Sequence, residues 1–510
     1  MVSNPPVSGV EAGSSIAAST AGLDKSLARS LAWRAAADWS SQVITWTVFL
    51  VVARLLSPAD FGIVGMAVVA YSYLRLVGQF GLPVTIPTLR DLTEDQIAQL
   101  NSVAAVLGIA CFGVACGLAY PLALFFKTPR LFPVVVVTCS ALLAFGFGAV
   151  PEGLLGKDLR FRRLAIGSSA CDILSAAVTL LMAWRGFAYW ALVAGNLSSQ
   201  VAFAALVVIW RPCRFAWPRL GSIRKALLVC WHNLVSLLAF ASYDRLDNVT
   251  AGRVLGPSAL GFYAMAWNLA TVPLEKVATL VTYILPSYLA AVQSDTAALR
   301  RYLRGLSELM ALAVFPASVG LALVAHDFVP LLLGSKWEPM APVLEVLCPY
   351  VAFRSLVSLL DKTLIGIGQT RYVMWAQLWA LLILPCGFYI GSHWGICGIA
   401  WGWVAFYPLV ALPLYWKTFR TIDLRLRDYL SVLRPALEGI AIMVVGVGIL
   451  KYHLPEGQPR VLRLAAEVLS GAALYAGAIL LLHRQRALAL WNLAKGFGPT
   501  RGVRHCEAVL

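Results

Sequence analysis

Fourteen stretches of mostly apolar residues divide this chain, each close to the ~20 residues that a helix needs to cross a bilayer. They fall at 33–53, 61–80, 102–124, 131–152, 164–184, 187–209, 226–249, 259–284, 306–326, 342–365, 372–391, 395–416, 431–450 and 461–482. Lipid cannot hydrogen-bond an exposed backbone, so a spanning segment must be a helix or part of a closed barrel. The stretches lack the alternation of barrel strands. The expected fold is an all-α polytopic membrane protein with about 14 transmembrane helices. Composition points the same way: 60% of the 510 residues are hydrophobic and 13% are charged. Soluble domains are about half apolar and a quarter charged.

An even number of spans puts both termini on one side. The 41 Lys and Arg outnumber the 25 Asp and Glu, giving a formal charge of +16. With the N-terminus inside, 27 of the basic residues fall on cytoplasmic segments and 10 on the opposite side. That asymmetry is the positive-inside pattern, and it places both termini in the cytoplasm. A strongly basic chain can also signal nucleic acid. No soluble basic domain exists here to carry such a role, so nucleic acid is not expected as a partner.

The connections are short, and none has room for a soluble catalytic domain. Two of them, 81–101 and 417–430, have room for a short interfacial helix, with Thr93 of "LTEDQIAQL" placed as a helix start. No DxD sugar–metal motif occurs. The ten cysteines are scattered, mostly in apolar stretches and without a CxxC pair, and the six histidines have no metal-ligand spacing. Neither an enzyme nor a metal or other cofactor is therefore expected. Residues 1–28 and 485–510 are expected as cytoplasmic tails, the first flexible.

One short turn is written twice. "RLLSPADFG" (54–62) returns 199 residues later as "RVLGPSALG" (253–261). Arg54 matches Arg253, Leu56 Leu255, Pro58 Pro257, Gly62 Gly261, Met66 Met265 and Ala67 Ala266. A second echo pairs "GFAYWALVAG" from Gly186 with "GICGIAWGWV" from Gly395. Six spans separate the copies. Six is even, so both point the same way, as in parallel repeats related by an axis along the membrane normal. The expected plan is two six-helix lobes, an N-lobe at 29–210 and a C-lobe at 211–420, followed by a helix pair in 421–484. Two facing lobes enclose a cleft with its site near mid-membrane, and rocking gives alternating access. Export of a solute is the mechanical expectation.

Five segments carry a family resemblance: "RLLSPADFGIVGMA" (54–67), "VPEGLLGKDLRFRRLA" (150–165), "GFAYWALV" (186–193), residues 252–295, and "PLLLGSKWEPMAPVLEVL" (330–347). Together, and in this order, they resemble the polysaccharide repeat-unit flippases, the O-antigen and colanic-acid exporters of the multidrug/oligosaccharidyl-lipid/polysaccharide superfamily. The resemblance covers roughly 28–430. It implies an undecaprenyl-diphosphate-linked oligosaccharide as substrate, moved from the inner to the outer leaflet of a bacterial inner membrane. It further implies work alongside glycosyltransferases and a polysaccharide polymerase. The other reading on the same plan is a cation-coupled small-molecule or drug exporter.

Ionisable residues inside spans are costly and so are functional candidates. The basic ones are Arg34, Arg75, Lys276 and Arg354. A sugar–diphosphate head suits them, since Arg bonds phosphate bidentately and Lys serves as a point charge. Asn268 joins them as a sugar-bonding candidate. Each has a structural reading too: Arg34 lies one helical turn from Asp38, Arg75 is near a span end and able to snorkel, and Arg354 has Glu345 and Asp361 as prospective partners. Asp38, Asp172, Asp244, Asp247 and Glu275 are candidates for coupling to H+ or Na+. "YDRLDN" (243–248) is the densest group and reads first as an ion-pair cluster at the outer face, ahead of a coupling site.

Overall fold

A computed structural model describes residues 42, 44–86, 92–158, 160–291, 296–455 and 458–484. Both expected tails, together with Arg34 and Asp38, lie outside the described residues. Among the described residues there is no β-strand. The helices are α1 (Ile44–Leu55), then α2 (Pro58–Gln79), the short α3 (Leu82–Thr85), α4 (Glu94–Phe125), α5 (Leu131–Cys139), α6 (Ala141–Lys157), α7 (Phe161–Trp184) and α8 (Tyr189–Trp210). The second half holds α9 (Leu220–Thr250), α10 (Pro257–Ala291), α11 (Thr296–Leu332), α12 (Ala341–Gly366), α13 (Thr370–Ser392) and α14 (Gly395–Thr421). The final pair is α15 (Leu426–His453) and α16 (Arg460–Leu482).

Helices stand at all fourteen expected places. Eleven of them are long and apolar enough to cross a membrane. The other three places fall on α1, described only from Gln42, and on α9 and α10. Those two have the length, and several of their side chains lie outside the described residues.

Local chemistry sets the helix ends. Ser57 caps α2 in a box with Asp60, with Pro58 in the first turn. Thr93 caps α4 in a box with Gln96. The segment 81–101, expected to have room for a short interfacial helix, holds the four-residue α3 and, from Glu94, the first turns of α4, because the cap at Thr93 opens a helix whose apolar run never breaks. The segment 417–430 likewise divides between the end of α14 and the start of α15. Gly256, at φ +87°, separates a π-turn (Ala251–Leu255) from α10.

Packing follows chain order within each half. In the first, α4 lies on α6, α6 on α8, and α7 on α8. In the second, α11 lies on α12, α12 on α14, and α13 on α14 and α9. The halves meet chiefly where α2 runs along α10. The last pair packs on α11. A charged network fixes it there: Arg463 of α16 lies 3.0 Å from Asp327 of α11 and 3.5 Å from Glu467, and Lys451 of α15 lies 3.6 Å from Glu467. Glu467 is fully buried, and its charge is bearable there because two cations face it.

Candidate functional site

The duplicated turns touch each other. A Cβ on Gly62 would collide with the backbone carbonyl of Pro257, and a Cβ on Gly261 with that of Pro58. The contact is reciprocal, as an axis relating the two repeats requires. Only a residue without a side chain lets the two backbones approach this closely.

A second set of bonds ties the halves at the same end. Arg54 donates from Nε to the Leu332 carbonyl at 2.8 Å and from its guanidinium to the Leu331 carbonyl. Lys336 donates to the Arg54 carbonyl at 2.7 Å and to that of Leu56. Trp337 donates from Nε1 to the Ala53 carbonyl at 2.8 Å. The last carbonyls of a helix have no partner within it and carry its negative end. Here α1 and α11 end side by side, and each end is capped by a cation from the other half. Trp337 is fully buried. Phe61 and Phe262, one from each repeat, meet its ring edge-on at 5.3 and 5.9 Å. This end of the molecule is sealed.

Away from the seal the seam turns polar. Asn268, Glu275 and Lys276 lie seven and eight residues apart on α10, which places them on one face. Lys276 donates to Gln42 Oε1, just ahead of α1, across the seam. Along α10, Asn268 stands 11 residues past Pro257 and Lys276 stands 19, about 17 and 29 Å at a helical rise. The stripe therefore runs from mid-membrane depth to the face opposite the seal.

Arg354 of α12 lies over the rings of Trp267 and Trp403, 5.5 and 5.9 Å from their centroids, and within electrostatic reach of Asp361. Glu345, the other partner considered, faces His326 at 3.4 Å. Beside this group Asp247 is fully buried. Its Oδ2 accepts from the Tyr263 hydroxyl at 2.8 Å and from Trp403 Nε1 at 3.2 Å. Its Oδ1 accepts from the backbone and side-chain nitrogens of Asn248 at 2.6 and 3.0 Å. Asp247 thus sits among α9, α10 and α14 rather than in an outer-face ion-pair cluster. The Asp244 side chain lies outside the described residues. Trp403→Phe keeps a six-membered ring but removes the indole donor and part of the buried volume. It should cost roughly 1–3 kcal/mol, read as a lower melting temperature of the detergent-solubilised protein.

Arg75 belongs to a separate group in the first half. It lies 4.3 Å from the centroid of the Phe145 ring, beside Tyr71 and within reach of Glu152 of α6. Asp172 stands exposed on α7. The structure thus assembles Asn268, Glu275, Lys276 and Arg354 about α10 and leaves Arg75 and Asp172 elsewhere. Glu152, Gln42, Tyr263, Lys336 and Trp337 carry roles that sequence reasoning did not assign. Glu152 had a signal, since it is the last residue of an expected span. The nine described cysteines are free, and among the described residues no cluster of three or more His, Cys, Asp or Glu is placed to hold a metal.

Parallel helix sets, meeting at a two-fold seam that is sealed at one end and polar toward the other, define a multi-helix membrane transporter. The polysaccharide biosynthesis protein family matches residues 51–342, and the chain belongs to that family. It is 25% identical to the succinoglycan biosynthesis transport protein ExoT of Rhizobium meliloti over 489 residues, 93% of this chain and 97% of that one. It is 25% identical to the lipopolysaccharide biosynthesis protein WzxC of Escherichia coli over 317 residues, 60% of this chain and 63% of that one. In fold it is similar to the lipid II flippase MurJ in an inward closed conformation, with TM-score 0.67, 12% identity and coverage of 89% of this chain and 99% of that one. An inward-facing multidrug transporter of the MATE family follows at TM-score 0.59 and 14% identity, over 75% of this chain and 94% of that one.

Proposed function

We propose that this protein flips an undecaprenyl-diphosphate-linked oligosaccharide repeat unit from the cytoplasmic to the periplasmic leaflet of a bacterial inner membrane, by alternating access between an N-lobe and a C-lobe. The sealed end faces the periplasm, and the basic face, with both termini, faces the cytoplasm. One observation carries the reading: a polar, hydrogen-bonding stripe on α10, with Lys276 toward the basic face and Arg354 of α12 over Trp267 near mid-membrane, stops at a closed outer end. A sugar–diphosphate head finds charge and hydrogen bonds there, while its prenyl tail stays in lipid. The names of the relatives support the same substrate class. Glycosyltransferases that build the repeat unit and a polymerase that consumes it are its functional partners.

The driving force has a definite sign. An inside-negative potential pushes an anion outward, worth about 2.3 kcal/mol per charge per 100 mV. A head of charge near −2 gains roughly 4–5 kcal/mol per 100 mV on export.

Loss of the gene should leave lipid-linked repeat units on the cytoplasmic leaflet. Changed drug sensitivity with normal polymer would favour the small-molecule exporter instead. Lys276→Ala should lower surface polysaccharide about tenfold at unchanged protein level, on the order of 1.4 kcal/mol of lost head-group interaction. Normal polymer from both Lys276→Ala and Lys276→Ala combined with Arg34→Ala would remove the cationic cleft.

A further inference from the structure

The segment joining α8 to α9 is held like a strap across the basic face. Three residues near the start of α4 hold its backbone. Gln99 Oε1 accepts from the Arg219 N–H at 3.0 Å, Ser102 Oγ accepts from the Ala216 N–H at 3.1 Å, and Asn101 Nδ2 donates to the Arg214 carbonyl at 3.3 Å. Gln99 and Asn101 are themselves buried. Arg211 adds ionic contacts to Asp158 at 3.7 Å and Glu94 at 4.0 Å. With the backbone fixed inward, the strap turns Arg214, Phe215, Trp217 and Arg219 outward, and Trp217 is 88% exposed. Interleaved Arg and aromatic side chains suit the headgroup layer of an anionic leaflet.

The strap leads directly into a groove. Arg224, Leu227, Leu228 and Trp231 recur at helical spacing on the first turns of α9 and share one face. With Phe80, which ends α2, and Gly221 they line an open groove of about 440 Å³. Trp231 remains 54% exposed and Leu228 49%. Among the described lining residues Arg224 is the cation, nearest the start of α9, and Leu227, Leu228, Trp231 and Phe80 form apolar walls. The groove also lies on the seam, since α2 and α3 of the first half contact α9 of the second.

We propose that this groove captures an isoprenoid phosphate lipid from the basic-face leaflet, its phosphate at Arg224 and its chain along Leu227, Leu228, Trp231 and Phe80. The charge pattern selects an anionic head attached to a long apolar chain, and the position beside the seam leaves the head next to the polar cleft. The assignment rests on the flippase reading and adds a docking step before translocation.

Undecaprenyl diphosphate without sugar is the probe, titrated against the full-length protein by native mass spectrometry. Arg224→Gln and Trp231→Ala should each weaken binding at least tenfold, while Arg185→Gln, at an exposed position between α7 and α8, leaves it within twofold. Dioleoylphosphatidylglycerol should compete at least tenfold less well than the probe. Unchanged binding by Arg224→Gln overturns the proposal, and equal competition by phosphatidylglycerol overturns it in favour of a site for any acidic phospholipid. A transport assay on the same preparation separates the two claims. Probe binding at Arg224 without flipping leaves the groove standing and sinks the flippase reading. Flipping without Arg224-dependent binding does the reverse.

Discussion

Gly62→Val will reach the membrane and abolish export. The valine Cβ would occupy the space of the Pro257 carbonyl, and a backbone carbonyl in the first turn of α10 has nowhere to retreat. Overpacking costs about 1–3 kcal/mol and sometimes more, and here the cost falls wholly on the state in which the outer end is closed. A 3 kcal/mol bias shifts a two-state equilibrium roughly 150-fold. Gly261→Val should do the same, because the contact is reciprocal. Gly113→Ala is the matched control: nothing lies within 4 Å of that position, and an alanine in a helix interior is worth a few tenths of a kcal/mol to about 1 over glycine. The readout is surface polymer, together with labelling of a cysteine introduced near the seal by a membrane-impermeant maleimide. Wild type should label slowly and Gly62→Val quickly. Wild-type polymer and wild-type labelling from Gly62→Val would mean that the turns are not closed against each other during transport.

Trp337→Ala is the second large effect. The indole is fully buried, braced edge-on by Phe61 and Phe262, and its N–H satisfies the Ala53 carbonyl. Truncating a buried Trp costs about 3–5 kcal/mol, and the orphaned carbonyl adds to it. The protein should melt at clearly lower temperature in detergent and, where it survives, favour the open outer end. Trp337→Phe should fall between Trp337→Ala and wild type, since it keeps a six-membered ring against Phe61 and Phe262 but loses the donor, at about 1 kcal/mol, and the packing of the five-membered ring. Equal melting temperatures for Trp337→Ala and wild type would contradict the account of the seal.

Much of the architecture was legible in the residues. Apolar length predicts where the described residues form helices, eleven of them long and apolar enough to cross a membrane, because spanning segments announce themselves locally. The duplicated turn predicts a parallel repeat, because spacing and parity are properties of the sequence. That the two copies lie against each other is not such a property. Gly62 and Pro257 are 195 residues apart, and nothing local records which outer turn meets which. The same holds for Asp247. "YDRLDN" marks a charged group, but the partners that bury it come from Tyr263, one helix on, and from Trp403, 156 residues away. Lys336 and Trp337 stand in a stretch that carries the family resemblance, yet their task depends on the carbonyl ends of α1 and α11 falling side by side. Gln99, Asn101 and Ser102 gave a fainter signal, as three polar residues at the start of an apolar helix. What they hold lies more than a hundred residues on.

The most direct measurement is leaflet exchange by the purified protein. Proteoliposomes containing undecaprenyl-diphosphate-linked oligosaccharide in both leaflets are treated with an impermeant glycosidase, and the cleaved fraction is followed in time. Protein-free liposomes should stop near one half. Liposomes containing the wild-type protein should proceed toward complete cleavage, with Gly62→Val and Lys276→Ala much slower. Cleavage that stops near one half with active, correctly inserted wild-type protein would contradict the flippase account.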